Sequence, residues 1–253
     1  MPPLPPALSP LTLVPSAPRP TASLKNRLLD LLFPPRCAGC GRAGKLLCLG
    51  CQAQVHPVPR PVCIRCGQPV AAPGRCDRCA AGQFHVSALR AAAVYAQPLS
   101  RVIHQFKYEG RPELHEPLGQ LLAGYWRDHS ATVDLVTAVP LHENRLRARG
   151  FNQSDLLATV LCRQVGLPLL QPGMLCRARD TEQQMLLKPA ERRANVQDAF
   201  RWAGPPLDGS KVLLIDDVAT TGSTLEACAA VLLAAGAGKV WALTVARALS
   251  SQA

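Results

Sequence analysis

The sequence predicts an α/β fold in which helices flank a mostly parallel sheet, preceded by a small cysteine-rich module. From about residue 87 onward, short apolar runs alternate with amphipathic stretches, which is the pattern of parallel strands joined by crossover helices. Eight of the 11 cysteines lie between residues 37 and 79, and the chain of 253 residues is longer than one ordinary domain. We therefore expect a tail over residues 1–22, a cysteine module with a leading helix over residues 23–86, and the α/β domain over residues 87–253.

Hydrophobic periodicity predicts the elements of the α/β domain. Strands are expected over residues 91–95, 133–139, 211–215 and 240–245, and helices over residues 99–108, 114–126, 154–165 and 225–235. Pro140 ends the second strand, and we expect a polar loop after it. Ligands of such sheets bind beyond the carboxyl ends of the strands, so the polar segments after residues 139 and 215 are candidate sites.

The tail is unusually rich in proline. Its first 20 residues hold eight prolines and a single Arg, which favours a disordered or polyproline segment and does not resemble a secretory signal. Residues 23–33 have the apolar spacing of a short amphipathic helix that packs on the next module, with membrane contact as the alternative. No apolar run approaches the roughly 20 residues that would cross a bilayer, so we expect no membrane insertion.

The cysteines of the module fall as four Cys-x-x-Cys pairs. Two such pairs bring four thiolates to one tetrahedral Zn(II) ion, so the pattern predicts two structural zinc ions. The gaps between pairs are 7, 11 and 9 residues, which fit both a sequential and a cross-braced arrangement. We favour the sequential one because it closes the smaller loops. The predicted metal ligands are Cys37, Cys40, Cys48, Cys51, Cys63, Cys66, Cys76 and Cys79.

Three alternatives to structural zinc are open for these pairs. Disulfides need an oxidising compartment, an iron-sulfur cluster usually has a tighter cysteine run, and redox activity would use one Cys-x-x-Cys pair at a time. The remaining cysteines, Cys162, Cys176 and Cys228, occur singly and are interpreted as small apolar residues. Together with the tail sequence, the pattern favours a reduced, cytoplasmic protein.

The chain carries a net charge of +11, which raises the question of nucleic-acid binding. Residues 36–90 hold eight Lys or Arg against the single acid Asp77, a local excess of +7. Two zinc ions bound by four thiolates each would lower that excess to about +3. Contact with a phosphate backbone is therefore open, although the module has few aromatic residues on which bases could stack.

Residues 212–224, VLLIDDVATTGST, carry the clearest binding signal. An apolar strand leads to Asp216 and Asp217, whose carboxylates suit sugar hydroxyls and Mg²⁺. A turn of small and hydroxyl residues then opens a helix, and such a helix start binds phosphate. The alternative is an ordinary junction with a helix cap. The predicted phosphate-binding residues are Ala219, Thr220, Thr221, Gly222, Ser223 and Thr224.

This segment resembles the phosphoribosyl-diphosphate signature of type I phosphoribosyltransferases, without a departure from its pattern. Residues 139–154, VPLHENRLRARGFNQS, resemble the ComF/GntX branch of that superfamily, as does the eight-cysteine module. The resemblance covers about residues 24–248. A further spaced set belongs to the same resemblance: Arg177, Thr181, Gln184, Arg192, Asn195 and Phe200.

The resemblance implies a type I phosphoribosyltransferase-like fold and a role for each motif. Asp216 and Asp217 would hold the ribose 2- and 3-hydroxyls, and the turn over residues 219–224 would hold the 5-phosphate. The diphosphate would bind the loop of Val139, Pro140 and Leu141, with Arg145 and Arg149. Catalysis would then rest on Asp216, Asp217 and Arg145, with Mg²⁺ entering on the diphosphate. For Arg147, a merely solvated charge is an equally good interpretation.

Residues 171–200 are polar and charged, which is typical of a mobile flap over a site. The candidate ligand contacts there are Arg177, Thr181, Gln184, Arg192 and Asn195. A surface excursion with scattered charges is the alternative.

Two functions are expected from these features. The first is transfer of phosphoribosyl to an unknown acceptor, with Mg²⁺-assisted release of pyrophosphate. The second is a non-catalytic or DNA-handling role in DNA uptake, in which the protein binds single-stranded DNA and other uptake proteins and uses the pocket to sense nucleotides. The sequence identifies neither an acceptor nor an oligomeric state.

Overall fold

The structure is a computed structural model that describes residues 13–14, 34–178 and 199–249. Within these ranges the strands are β1 (Leu13–Val14), β2 (Ala88–Val94), β3 (Leu135–Ala138), β4 (Leu169–Leu170), β5 (Leu175–Arg177), β6 (Phe200–Trp202), β7 (Lys211–Ala219) and β8 (Lys239–Arg247). The helices are α1 (Leu49–Gln52), α2 (Asp77–Ala81), α3 (Leu99–Tyr108), α4 (His115–Asp128), α5 (Glu143–Arg149), α6 (Gln153–Val165) and α7 (Ser223–Ala234).

Six strands form the main sheet in the order β1-β4-β3-β7-β8-β2. All neighbours pair in parallel except β1, which pairs antiparallel with β4. After β3 the chain continues to β4, its neighbour on one side, whereas after β7 it continues to β8 on the opposite side. The direction in which successive strands are added therefore reverses between β3 and β7. Strands β5 and β6 form a separate antiparallel pair.

The sheet is buried on both faces because β7 alternates its apolar side chains between two cores. Leu213 and Ile215 belong to the core built with α3, α4 and α6, whereas Val212 and Leu214 belong to the core built with α7. The predicted mostly parallel sheet with flanking helices is thereby confirmed. Helix α3 has the predicted bounds, with Leu99, Val102, Ile103 and Phe106 buried.

The cysteine module packs on the edge of this sheet. Leu89 of the edge strand β2 donates its backbone N–H to Arg65 O at 2.6 Å, and Arg90 Nη2 donates to Ile64 O at 2.9 Å. Gly67 has φ +69°, and a Cβ there would lie 2.5 Å from Leu89 O. A glycine is therefore required where the module meets the strand, and the module covers a sheet edge that would otherwise offer unpaired backbone groups.

Three features differ from the sequence-based expectation. Strand β7 runs to Ala219, so Asp216 and Asp217 lie inside the strand and not after it. The segment after Pro140 contains the helix α5, capped by His142 Nδ1 and ended by Gly150 at φ +83°, where a loop was expected. The short strands β4, β5 and β6 were not predicted.

The N-terminal predictions fall almost wholly outside the described residues. Within residues 1–22, Leu13–Val14 form β1 and pair with Leu169–Leu170. The predicted helix over residues 23–33 lies outside the described ranges. No helix in the described part of the chain combines the length and apolar character that a bilayer crossing requires.

Candidate functional site

The two candidate loops meet at the carboxyl end of the sheet, above two central strands. β3 and β7 are adjacent and parallel, with Ala138 opposite Ile215, so their carboxyl ends open on the same side. Val139, the next residue after β3, donates its backbone N–H to Ile215 O at 2.9 Å. The strand order reverses between these two strands, which is where open α/β sheets bind their ligands.

The turn after β7 combines hydroxyl side chains with the start of a helix. Gly222 adopts φ +82°, a left-handed conformation that favours glycine, and serves as the N-cap of the 12-residue helix α7. Thr221 Oγ1 and Ser223 Oγ are 2.8 Å apart, and Ser223 N donates to Thr221 Oγ1 at 3.3 Å. Thr220 and Thr221 are exposed. Hydroxyls and the positive end of the helix dipole therefore lie together at the surface.

The acidic pair lies directly before this turn, and its two carboxyls have different partners. Asp217 is 2% exposed, and its Oδ1 lies 2.9 Å from Lys107 Nζ. Asp216 Oδ1 accepts hydrogen bonds from Ser154 Oγ at 2.9 Å and from Asp217 N at 2.8 Å. The partner of Asp217 thus comes from α3, and the side-chain partner of Asp216 comes from the first turn of α6.

Burial and charge shift the proton affinities of these groups. Burial and the neighbouring Asp217 raise the pKa of Asp216 to about 7. For Lys107, burial disfavours the ammonium, but the carboxylates of Asp217 and Asp216 outweigh it and raise its pKa. A proton at Asp216 and a fixed cation at Lys107 therefore reduce the repulsion between two acids at one strand end.

Sequence reasoning missed Lys107 as part of the site. Lys107 follows the buried Ile103 by four residues and so lies beside the apolar face of α3, where a cation needs a partner. A lysine beside the apolar face of a helix is the sequence feature that could have indicated a buried ion pair. Ser154 ends the motif over residues 139–154, but the sequence pattern predicts no role for it.

The loop after β3 is held by the start of α6. Asn152 Nδ2 donates to Val139 O at 3.1 Å and to Asp155 Oδ2 at 2.9 Å, while Asn152 Oδ1 accepts from Ser154 N at 3.1 Å. Burial raises the pKa of Asp155 to about 6. Asn152 thus ties the predicted diphosphate loop, with Pro140 and Leu141 half-buried, to the helix that contacts Asp216.

The arginines of α5 differ in their surroundings. The Arg149 guanidinium lies 5.4 Å from the centre of the Tyr108 ring and donates to Gln153 Oε1. Arg145 is half-buried. Arg147 is exposed and pairs with Glu143 at 3.3 Å, in keeping with the interpretation as a solvated charge.

Of the flap candidates, Arg177 alone is described. It ends β5, and its guanidinium lies 5.5 Å from the centre of the Phe200 ring on the neighbouring strand β6. Thr181, Gln184, Arg192 and Asn195 lie outside the described residues.

The eight cysteines of the module form two groups of four. The first holds Cys37, Cys40, Cys48 and Cys51, the second holds Cys63, Cys66, Cys76 and Cys79, and the Sγ atoms of each group lie within 4.8 Å of one another. The grouping is sequential, which confirms the arrangement that loop length favours. All 11 cysteines are free thiols. Four sulfurs at this separation fit the closed shell of a structural Zn(II) ion.

The two groups share the same backbone support. Cys48 N donates to Cys37 Sγ, and Cys76 N donates to Cys63 Sγ, each at 3.4 Å. Burial opposes ionisation of Cys37 and Cys63, but these amide donors and their neighbours lower the pKa of both thiols to about 6. Burial and the neighbouring cysteines raise the pKa of Cys51 and Cys79, so Cys37 and Cys63 are the thiols of each group that ionise more readily.

Comparisons with known proteins match both parts of the chain. Residues 28–80 match the Double zinc ribbon domain family, and residues 177–253 match the Phosphoribosyl transferase domain family. Among solved structures, the allosteric regulatory enzyme of purine biosynthesis is 20% identical with a TM-score of 0.39, over 55% of this chain and 29% of that chain.

Curated relatives align along most of their length. DNA utilization protein YhgH from Escherichia coli is 34% identical over 215 residues, which cover 82% of this chain and 88% of that protein. Competence protein F from Haemophilus influenzae is 32% identical over 210 residues, covering 80% of this chain and 90% of that protein. With its double zinc ribbon and phosphoribosyl transferase domains, the chain therefore belongs to the family of competence protein F and DNA utilization protein YhgH, the ComF/GntX family that its motifs indicated.

Proposed function

We propose that this protein binds phosphoribosyl diphosphate together with Mg²⁺ between β3 and β7, and that it transfers the phosphoribosyl group to an acceptor with release of pyrophosphate. One observation carries the proposal: β7 delivers Asp216 and Asp217 immediately before a turn in which Gly222 opens α7 in a left-handed conformation. Carboxylates that can accept hydrogen bonds from a sugar diol and a turn that can bind a phosphate are thus adjacent in one short segment.

The 5-phosphate is assigned to the turn over residues 219–224. Its charge would meet the hydroxyls of Thr221 and Ser223, which already lie 2.8 Å apart, and the first amides of α7. The helix start favours an anion there by roughly 1 kcal/mol before any hydrogen bond is counted. The carboxylates of Asp216 and Asp217 lie before this turn, inside strand β7, and so are separated from the assigned phosphate position.

The ribose hydroxyls are assigned to the acidic pair. A carboxylate accepts hydrogen bonds from two neighbouring hydroxyls, and Lys107 Nζ holds Asp217 Oδ1 in place at 2.9 Å. Asp216 loses its proton near pH 7, because burial and Asp217 raise its pKa to about 7. Ligand binding is therefore expected to strengthen as Asp216 ionises.

The diphosphate is assigned to Val139, Pro140 and Leu141 with Arg145 and Arg149 of α5. In the transfer, the bond between ribose C1 and the diphosphate oxygen breaks, pyrophosphate leaves with the electron pair, and the acceptor forms the new bond to C1. Guanidinium groups stabilise the departing charge, each buried donor contributing about 3 kcal/mol. Mg²⁺ bound with the diphosphate would supply further charge neutralisation.

Calorimetric titration with phosphoribosyl diphosphate and Mg²⁺ tests the binding part. Wild type is expected to bind in the presence of Mg²⁺, Asp217→Ala to lose at least tenfold in affinity, and Asp128→Ala, an exposed acid on α4, to match wild type. Pyrophosphate release is then followed with bases, amines and nucleotides as acceptors. Binding without release by any acceptor would leave the pocket as a nucleotide sensor.

A second candidate function is the handling of single-stranded DNA. Arg42, Lys45 and Arg75 of the cysteine module are exposed, and two relatives carry the names DNA utilization protein and competence protein. Oligonucleotide binding is expected to weaken steeply from 50 to 200 mM salt. An affinity that stays constant over this range, or no detectable binding, would remove this candidate.

The eight cysteines of the module form no disulfides, and their use as zinc ligands suits a reducing cytoplasm, where both functions would operate.

A further inference from the structure

Arg247, the last residue of β8, is a buried cation. Its side chain is 1% exposed, and no hydrogen-bond partner for Nε, Nη1 or Nη2 is found among the described residues. None of the ion pairs between described residues includes it. A buried guanidinium without a counter-charge is strongly destabilising, so its surroundings must supply a negative group.

The second cysteine group packs against the strand end that carries Arg247. Gln68, which follows Cys66 by two residues, donates Nε2 to Ala248 O at 2.9 Å, so this ribbon packs directly on the end of β8. Arg78, between Cys76 and Cys79, donates Nη2 to Thr221 O at 2.9 Å, in the turn that follows Ala219, and Ala219 pairs with Arg247 across the sheet. The second cysteine group therefore lies at the strand end that holds the buried guanidinium.

The first cysteine group has no equivalent. Among the described residues, Arg247 is the single fully buried Lys or Arg side chain. Arg101 approaches the first group at Gly39 O, at 3.4 Å, but from an exposed position on α3. The two centres therefore have the same thiols and backbone donors but differ in their nearest buried charge.

We infer that Arg247 is the counter-charge of the second zinc centre and donates hydrogen bonds to its thiolates when the metal is bound. Zn(II) with four thiolates carries a net charge of −2, so the bound centre compensates the guanidinium that the protein has otherwise buried alone. Groups that hydrogen-bond to metal ligands typically change metal affinity by 10- to 100-fold. The second centre, and not the first, should depend on Arg247.

Zinc release from the intact chain tests this inference. With a chromogenic chelator in excess, Arg247→Met is expected to release one of two zinc ions at least tenfold faster than wild type, and the other at the wild-type rate. Alkylation during release, read by mass spectrometry, should label Cys63–Cys79 first. The control Arg101→Met should release both ions at wild-type rates.

Two outcomes would overturn the inference: wild-type release of both ions from Arg247→Met, or faster labelling of Cys37–Cys51 in place of Cys63–Cys79. Should Arg247→Met fail to fold, Arg247→Gln carries the test, because it removes the charge but keeps a polar side chain with N–H donors. We expect Arg247→Gln to release the second zinc several-fold faster than wild type. Equal rates would count against the role of the charge.

Discussion

Lys107 Nζ lies 2.9 Å from Asp217 Oδ1, and this ion pair joins α3 to the carboxyl end of β7 beside the candidate phosphate turn. The side chains are 20% and 3% exposed, so the pair is largely withdrawn from water. Asp217 Oδ2 has no further hydrogen-bond partner among the described residues. Lys107 is therefore the ion-pair partner of the buried acid in the proposed ribose site.

Removing Lys107 should destabilise the protein. We expect Lys107→Met to lower the free energy of unfolding by about 3 kcal/mol, because it leaves a buried carboxylate without its partner. Urea denaturation measures the change, and Arg101→Met on the exposed side of the same helix should stay within about 0.5 kcal/mol of wild type. A double variant that also carries Asp217→Leu should recover much of the loss. An equally large loss for the double variant would show that packing, not charge, is at stake.

The raised pKa of Asp216 predicts a pH dependence of ligand binding. Since its carboxyl titrates near pH 7, the ionised fraction rises from about one tenth at pH 6 to about nine tenths at pH 8. Affinity for phosphoribosyl diphosphate with Mg²⁺ should rise close to tenfold over this interval, after correction for ligand ionisation. Asp216→Asn should bind weakly at both pH values and show no such rise.

The raised pKa of Asp216 also predicts how its carboxyl changes the stability of the protein with pH. A carboxyl whose folded pKa lies above its unfolded value of about 3.9 stabilises the folded protein fully below pH 4. That contribution is lost as pH rises from about 4 through 7. The free energy of unfolding of wild type should therefore contain a contribution that falls as pH rises across this range. Asp216→Asn should lack that contribution, so the two curves should differ in slope. Parallel curves would contradict the assignment.

The second ribbon contacts the phosphate turn through Arg78. Arg78 Nη2 donates to Thr221 O at 2.9 Å, so a residue between two zinc ligands fixes the carbonyl of the turn. Arg78→Ala is expected to weaken phosphoribosyl diphosphate binding roughly fivefold, the value of about one hydrogen bond. Arg75→Ala, exposed in the same ribbon, should leave this affinity unchanged. A similar loss in both variants would point to general charge instead of this contact.

Two glycines at the same place in the two ribbons form a matched pair. Gly41 and Gly67 both follow a ligand cysteine, with φ +79° and +69°, but a Cβ at Gly41 would meet nothing within 4 Å, whereas at Gly67 it would lie 2.5 Å from Leu89 O. Gly41→Ala should cost about 1 kcal/mol of backbone strain. Gly67→Ala should cost at least about 2 kcal/mol more because the ribbon must move off β2. Thermal unfolding compares the two, and equal losses would contradict the close approach.

Local patterns predicted most of the fold because they act within one element. The apolar spacing of residues 99–108 predicted α3, and the Cys-x-x-Cys spacing predicted two groups of four, for which loop length favoured the sequential grouping that the structure has. The turn after β7 was predicted from the acidic pair and the small and hydroxyl residues that follow it. Helix α5 was missed because its single large apolar residue, Leu146, is 41% exposed, so no periodicity marks it.

The partners within the site could not be predicted because they come from distant segments. Lys107 of α3 meets Asp217, and Ser154 of α6 meets Asp216, only because the fold packs both helices against β7. Arg247 ends an apolar strand, and its sequence context gives no sign that it is buried where the second ribbon contacts Ala248. Such pairings require the tertiary structure.

A crystal structure of the protein with phosphoribosyl diphosphate and Mg²⁺ tests the central claim most directly. The account predicts the 5-phosphate at the amides and hydroxyls of residues 219–224, with the ribose hydroxyls at Asp216 and Asp217. A ligand bound elsewhere, or a saturated crystal with this turn empty, would contradict it.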